Sequence, residues 1–584
     1  MNLPELDLDY FAFSRRNTNW VILTEEAEKK PLDSITLRYI YGGETAPVYD
    51  LTLTSEGKQV PLSYQAFPHI LILRGDRGVA ELIMPRRGQI RIRCRGTGLR
   101  LSVPAETAGN WEAFLPIGRS EGEKQTAWRC VIANIKHDIR LLSGELFSPA
   151  QWGPKPAGDR RHQNTNEYIL ELSPEAEILI TDYESENGGD PVMGSFEKDA
   201  EKVKAEMNAW HSLSPEAEPE YGDTSFFASY ITWSSFVPAS HNFFKPTMIM
   251  SKRRMLNAWN WDNYFNSWAM GLRDPELAWD MYQLHFDHQL EEGALADGIN
   301  ERKIGFVYTK PPVHGLVLSH LLQYGAVPEQ ELERIYPKLL KATYWWFRFR
   351  DDDGDGICQY HHGNDSGWDD ATVFDIEPPV ESPDLSALLV LQLKVLAKAA
   401  ERLSLFTDAE NHRKKSRELL EALLGHSIRD GRFTGLQDGS HRESPADSLL
   451  LRIPVVLGKL LPRDVLSNLV SDLGDESAFL GDHGLATESM KSGEFIPDGY
   501  WRGPAWAPAT MLIVYGLIDA GKTELAREIS RRFCGTCRKA GFAECFNVVT
   551  GDPLHDRGYT WTASVFIILS HWLKTGDGIL PLWQ

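Results

Sequence analysis

Residues 382–403 read SPDLSALLVLQLKVLAKAAERL. Serine and aspartate flank a proline at the start, where an N-cap and a first helical turn accept them, and apolar residues then recur at helical spacing. The stretch predicts a helix. Four more segments have the same character: 275–293, 328–350, 508–533 and 559–576. The loops between them are rich in Gly, Pro, Asp and Trp and carry the polar side chains. The chain from residue 220 to 584 is therefore expected to be nearly all helical, with helical hairpins set in a ring and chemistry-bearing loops forming a cup at one end. Spacing alone leaves a closed toroid and an open solenoid both standing.

The preceding residues follow a different period. In QIRIRCRG (89–96), Ile90, Ile92 and Cys94 fall on one face of a strand and Arg91, Arg93 and Arg95 on the other. SITLRYIYGG, HILILRGD, LRLSVPA and AEILITDYE are further short runs broken by Gly, Pro and Asp. Residues 1–194 thus read as an antiparallel β-sandwich. A charged helical stretch and an acidic, proline-bearing segment over 195–219 form a linker. The fold class is multidomain: a β-sandwich followed by an all-α domain over 220–584.

Composition narrows the partners. A net charge of −21 without a Lys/Arg stripe excludes a nucleic-acid partner and favours a neutral or cationic ligand. The start, MNLPELDLDYFAF, has neither a basic nor an apolar region of a secretory signal, and no apolar run approaches a membrane span, so a cytoplasmic protein without membrane association is expected. Six cysteines are too sparse for a disulfide framework. Cys534 and Cys537 form one CxxC with no second pair nearby, and read as structural thiols.

Seven of the eighteen tryptophans fall in NAWNWDNYFNSW (257–268), TYWWF (343–347) and DGYWRGPAW (498–506). Trp beside Asp, Asn and Arg is the composition of a carbohydrate cleft, where apolar sugar faces stack and hydroxyls need forked partners. Glycosidic hydrolysis needs two carboxyl groups, one protonated and one ionised. NDSGWDDATVF (364–374) offers Asp365, Asp369 and Asp370. Asp369 follows Trp368, and an acid against an aromatic wall has its charged form disfavoured, as a proton donor requires; Asp365 and Asp370 suit hydrogen-bonding or capping. Glu544, between Phe542 and Phe546 in what reads as an apolar loop, is the second candidate, with an ordinary exposed loop acid as its alternative.

NAWNWDNYF, TKPPVHGLVL, NDSGWDDATVF, SPDLSALLVLQLKVLA, DGYWRGPAWAP and FAECFNVVTGDPLHDRGYTWTASV, in this order, resemble the signature segments of glycoside hydrolase family 63 and its trehalase and mannosylglycerate-hydrolase relatives. The resemblance spans roughly 220–584. It implies an (α/α) six-hairpin barrel, inverting hydrolysis of an α-linked sugar and no cofactor. Asp369, in SGWD, maps onto the family's general acid, and Glu544, ahead of N-x-x-TG, onto its general base. Trp261 and Asp262 match the pair at the bottom of the glycone pocket, supported by Asn263 and Phe265. Trp368, Tyr500, Trp501, Arg502 and Trp506 match an aromatic wall with a guanidinium fork, Gly503 and Pro504 hold that loop close to the sugar, and Arg502 has a structural pairing with an acid such as Asp262 as its alternative. Lys310 stands where relatives commonly carry glutamine, which puts the sugar contact at that position in question; Asp297 is a further pocket residue.

The expected activity is an inverting glycosidase releasing a terminal α-linked sugar, most simply glucose, from a small oligosaccharide or glucoside. An α-mannosidase or trehalase on the same fold, and a non-catalytic sugar sensor, are the alternatives. Lyase or epimerase chemistry on the same toroid would lean on His or Tyr as base, whereas these loops are built around acids. Asp351, Asp353 and Asp355 in DDDGDG match the first half of a calcium loop, but His362 stands where the bidentate Glu belongs, so no metal is expected. His361 and His362 are read as loop hydrogen-bonders. The oligomeric state is not legible.

Overall fold

The computed structural model describes residues 3–24, 32–104, 106–107, 112–117, 124–148, 168–183 and 194–582. It divides into two compact units: Met1–Ser212 with Ser229–Leu256 and Asn300–Arg302, and Leu213–Ala228 with Asn257–Ile299 and Lys303–Gln584.

Among the described residues, the first unit holds two large antiparallel sheets and the short pair Phe236–Val237 with Thr247–Met248. Strands of one run in the order Trp20–Leu23, Ile35–Tyr41, Glu44–Ser55, Gly98–Ser102, Ile169–Leu172 and Leu146–Phe147, with Lys58–Gln59 pairing on Glu44–Ser55. The other has eight: Ala113–Pro116, Ala127–Ile132, Ile135–Ser143, Glu177–Asp182, Gln89–Arg95, Val79–Ile83, Ile70–Arg74 and Ser63–Phe67. Their inner faces meet where the Tyr49 hydroxyl reaches His137 Nε2 at 2.9 Å and Trp20 packs edge-on against His137.

The arginine face of Gln89–Arg95 is covered by helix α1 (Phe196–Ser212). Arg91 pairs with Glu177 and, at 2.6 Å, with Asp199; Arg93 pairs with Glu81 and Glu197, and its guanidinium lies 3.9 Å over the Phe196 ring. Three arginines on alternate strand positions need carboxylates; the acidic first turn of α1 supplies Glu197 and Asp199, and the neighbouring strands supply Glu81 and Glu177. The segment read as a linker helix is therefore grouped with the sheets as far as Ser212.

Helix α2 (Gly222–Ser234) is followed by α3 (Asn260–Gly271), α4 (Pro275–Asp287), α5 (His314–Gln323), α6 (Glu329–Phe349), α7 (Pro383–Arg402), α8 (Phe406–His426), α9 (Arg463–Leu473), α10 (Ala507–Asp519), α11 (Thr523–Ala540) and α12 (Thr560–Thr575). Residues 508–533, read as one segment, are two helices: the chain turns at Ala520–Lys522, where Gly521 takes φ +72°, a conformation only glycine adopts freely. Burial follows the hydrophobic pattern. Nearly all of α3, α5, α7, α10 and α12 is buried, whereas α6, α8, α9 and α11 bury one stripe.

The buried helices pack in sequence: α3 on α5, α5 on α7, α7 on the 3₁₀ segment Leu449–Leu460, that segment on α10, α10 on α12, and α12 back on α3. Buried hydrogen bonds fasten the last contact, from Asn266 Nδ2 to Thr560 Oγ1 at 2.9 Å and from Ser564 Oγ to Asn266 Oδ1 at 2.7 Å. Among the described residues, no helix is long and apolar enough to cross a membrane. Cys534 and Cys537 are unpaired and buried in α11, and burial pushes their thiols up, which suits structural thiols.

Candidate active site

The candidate residues precede or open the buried helices. Asp262 lies in the first turn of α3, Lys310 ahead of α5, Asp369 ahead of α7, Tyr500 to Trp506 ahead of α10, and Glu544 ahead of α12. Helix N-termini carry partial positive charge, which favours acids placed near them.

Asp369 is held by a compact turn. Ser366 Oγ donates to Gly363 O at 2.7 Å and accepts from Trp368 N at 3.1 Å, and Gly367 takes φ +72°. A Cβ on Gly367 would lie 2.7 Å from the Trp261 indole, and one on Gly363 would lie 2.3 Å from Asp369 O, so both glycines permit the close approach. Asp365 is buried as the turn's anchor, accepting from Thr309 N at 2.8 Å and His361 N at 3.0 Å. Asp370 accepts from Trp501 N at 2.7 Å.

Glu544 sits on a strand, not in a loop. Ala543–Phe546 pairs with Ala505–Trp506 on one side and Pro553–Arg557 on the other, and the register slips between Ala543 and Cys545. Glu544 stands there opposite two residues, His555 and Asp556, and His555 takes φ +59°, so the extra residue of the bulge lies on Pro553–Arg557 and brings the Asp556 N–H to Glu544. Glu544 is 4% exposed, which removes the exposed-acid alternative. It accepts from Tyr500 Oη at 2.9 Å and from Asp556 N at 3.3 Å. Asp262 is likewise buried and accepts from Tyr559 Oη at 3.3 Å.

These carboxyls sense one another. Burial pushes Asp262 up to about 8, against the pull of Lys310, and pushes Glu544 up to about 7, against its hydrogen bonds from Tyr500 and Asp556. Burial also raises Asp369, which Lys310 draws back down. The charge of Asp369 acts on Glu544, and that of Glu544 on Asp262, so the three form one electrostatic cluster with Lys310 as its cation. Lys310 Nζ donates to Asn364 O at 2.5 Å, and Asp297, raised by burial, also feels its charge.

Below the acids lies an aromatic layer. Trp501 stacks on Trp506 at 3.9 Å and 10°, and tilts against Trp368 at 4.6 Å and Trp261 at 5.8 Å. Trp261 also meets Phe265 and Trp561. All four of Trp261, Trp368, Trp501 and Trp506 are almost wholly buried, so the rings cover one another, whereas Tyr500 keeps a half-buried edge. Asn263 turns to α4, donating to Met281 O at 2.8 Å. Arg502 is engaged by Asp375 at 2.7 Å, the Asp370 carbonyl at 2.8 Å and Glu494 at 3.4 Å, and not by Asp262. Tyr559 and Asp556 were not singled out in the sequence reading, although both lie in the FAECF…TASV segment.

In the DDDGDG turn, Asp351, Asp353 and Asp355 each accept from a backbone N–H of the turn itself, those of Gly356, Asp355 and Ile357. His361 pairs with Asp352 at 2.9 Å, and the His362 side chain accepts from Asn364 N at 3.0 Å.

A glucosylglycerate hydrolase of Mycolicibacterium hassiacum is 24% identical over 345 residues, covering 47% of this chain and 77% of the relative. Mannosylglycerate hydrolase MGH1 of Selaginella moellendorffii is 21% identical over 385 residues, covering 53% and 78%. In fold, the chain is similar to a GH63 mannosylglycerate hydrolase from Thermus thermophilus solved with Tris, at TM-score 0.51 and 19% identity, covering 58% of this chain and 98% of that one. Residues 255–562, which contain both candidate catalytic carboxyls, match the mannosylglycerate hydrolase MGH1-like glycoside hydrolase domain, and the chain belongs to that family of glycoside hydrolases.

Proposed function

We propose that the chain is an inverting glycosidase that releases one terminal α-linked sugar from a small glycoside, with Asp369 as general acid and Glu544 as general base, and that the closed sequence of buried helix contacts is an (α/α) six-hairpin barrel. The observation that carries this reading is the coupling of Asp369 and Glu544 in one acidic cluster, each raised by burial, with Tyr500 and a backbone N–H donating to Glu544 alone. Those donors favour the ionised form of Glu544, the form a base needs, while the proton of the pair serves the glycosidic oxygen from Asp369. Protonation of that oxygen accompanies C–O cleavage. Glu544 takes a proton from the water that attacks the opposite face of the anomeric carbon. Inversion calls for a carboxyl separation of about 6.5–9.5 Å.

In this reading Asp262 and Asp297 receive sugar hydroxyls, and the buried tryptophans are the floor that keeps the acids dry. Lys310 is a cation beside three acids, and gives an anionic aglycone one place to bind. The relatives are named for glucosyl- and mannosylglycerate, so a sugar linked to a small hydroxy acid is the proposed substrate class, with glucose as the proposed glycone and mannose as the alternative.

Proton NMR of the anomeric signals tests the proposal, using glucosylglycerate, mannosylglycerate, trehalose and other α-linked disaccharides, with Asp369→Asn as control. Prompt appearance of the β-anomer, absent with the variant, is expected. First release of the α-anomer would refute inversion, and sugar binding without turnover by the unaltered chain would favour the sensor alternative.

A further inference from the structure

The DDDGDG turn is brought against two histidines and a glutamate from other parts of the sequence. His426 closes α8, Glu381 lies on the short strand Val380–Glu381, and His441 follows the strand Leu436–Gln437 that pairs with it. Glu381 is fully buried, and its Oε1 has no hydrogen-bond partner. Leaving a carboxylate oxygen buried without a donor is costly, so this oxygen asks for a cation.

The geometry supplies a place for one. His426 Nε2 meets Glu381 Oε2 at 2.8 Å, which orients the ring and leaves Nδ1 facing Asp355 Oδ2 at 3.5 Å. His441 Nε2 pairs with Asp353 Oδ2 at 3.1 Å and lies 3.8 Å from Asp355 Oδ2 and 3.9 Å from Glu381 Oε1, so an ion would take it from Asp353. A tetrahedral ion with bonds of about 2.0–2.1 Å has ligand–ligand edges of about 3.4 Å. The three measured edges exceed that by a few tenths of an ångström, as four side chains do before drawing in on an ion. Two carboxylates balance a dication, and two imidazole nitrogens select a borderline transition metal over calcium, which takes oxygen ligands. The two ring nitrogens point apart, so the ion would draw Glu381 off His426 Nε2 or take His426 through that nitrogen; the four donor atoms already lie within 4.8 Å of one another.

We propose that Asp355, Glu381, His426 and His441 form a structural site for a divalent transition-metal ion of the zinc type. Its place in the fold gives it a task. The turn between Gln437 and Arg442 holds the end of the acid-bearing loop, with Gln437 Nε2 donating to Ile376 O at 3.1 Å and Arg442 to the same oxygen at 2.6 Å. An ion joining His441 to the 351–356 turn and to Glu381 would pin that support. The ion takes no part in the chemistry assigned to Asp369 and Glu544, so the two proposals stand or fall separately.

The test is metal titration of the chelator-treated full chain with zinc chloride and calcium chloride, together with the visible spectrum of the cobalt(II) form. One zinc per chain, a raised Tm with zinc and intense tetrahedral cobalt bands are expected. His441→Ala and His426→Ala should each weaken zinc binding by at least about 100-fold, since even outer-shell changes cost 10–100-fold. Asp351→Ala, outside the four-residue set, should leave it intact. Absence of saturable zinc uptake, uptake indifferent to both histidine changes, or calcium-selective uptake lost in Asp351→Ala would each overturn the assignment. Should the histidine variants fail to fold, the unaltered chain decides: weak octahedral cobalt bands would also overturn it.

Discussion

Removing one oxygen from Tyr500 should move the acid limb of the pH–rate profile to higher pH. The Tyr500 hydroxyl donates to Glu544 at 2.9 Å, and Glu544 is buried and already pushed up to about 7. A hydrogen bond to a charged group contributes about 1.5–3 kcal/mol, and one pH unit corresponds to about 1.4 kcal/mol. Tyr500 is half-buried, so water recovers part of the bond in the variant, and a rise of about 1 unit is the working figure. The direction follows from the role: a bond to the ionised form lowers the pKa, its loss raises it, and a base that must be ionised then fails at higher pH. Phenylalanine keeps the ring that packs edge-on 5.0 Å from both Trp506 and His555. The assay is kcat/KM of Tyr500→Phe against pH, which reports the free enzyme's groups. An acid limb that stays within about 0.3 unit of the unaltered protein's, with the fold intact, would refute the reasoning. A drop uniform across pH would instead make Tyr500 a substrate contact.

Four further outcomes are expected. Glu544→Gln should lose the acid limb and Asp369→Asn the alkaline limb, each with kcat lower by about 10²–10⁴; a variant keeping both limbs would reassign its residue. Lys310→Met removes the charge that draws Asp369 down, so Asp369 rises and the alkaline limb, set by loss of the acid's proton, should move to higher pH; a shift the other way rejects this electrostatic role. Gly367→Ala combines an unfavourable φ with a Cβ 2.7 Å from Trp261, and should cost about 2–4 kcal/mol in denaturant unfolding, against about 1–2 for Gly325→Ala, which has the same φ region but open space. Equal costs would show that the indole yields freely. Arg91→Met leaves Glu177 and Asp199 without their shared cation under α1, and should destabilise the first unit by about 2 kcal/mol by calorimetry, discounted from a fully buried pair because both acids retain some solvent.

The helices were legible because the buried ones, such as 383–402, are apolar around most of their circumference and the covering ones on a stripe, and that period survives without tertiary information. The break at Gly521 was not, since alanine and lysine on either side continue the helical composition. Asp369 was legible from Trp368 beside it. Glu544 stood out as an acid among apolar neighbours ahead of N-x-x-TG, but not as a strand residue, because its strand pairs with Ala505–Trp506 from a separate motif and with Pro553–Arg557 across a bulge. The tryptophans were read as sugar platforms, whereas packing among Trp261, Trp368, Trp501 and Trp506 joins three loops far apart in order, and leaves little of them open. The DDDGDG turn was weighed alone, because Glu381, His426 and His441 come from three separate segments.

The contact between α3 and α12 has a consequence for how this chain is made. Asn266 and Thr560 are 294 positions apart, so at about 5–20 residues per second roughly 15–60 s of synthesis separate them on the ribosome. Throughout that interval α3 lacks the neighbour that completes its burial, and Glu544 and Tyr559 are made only near its end. The nascent chain therefore carries an apolar seam that no earlier segment can cover, and its need for a chaperone should end abruptly when α12 leaves the exit tunnel.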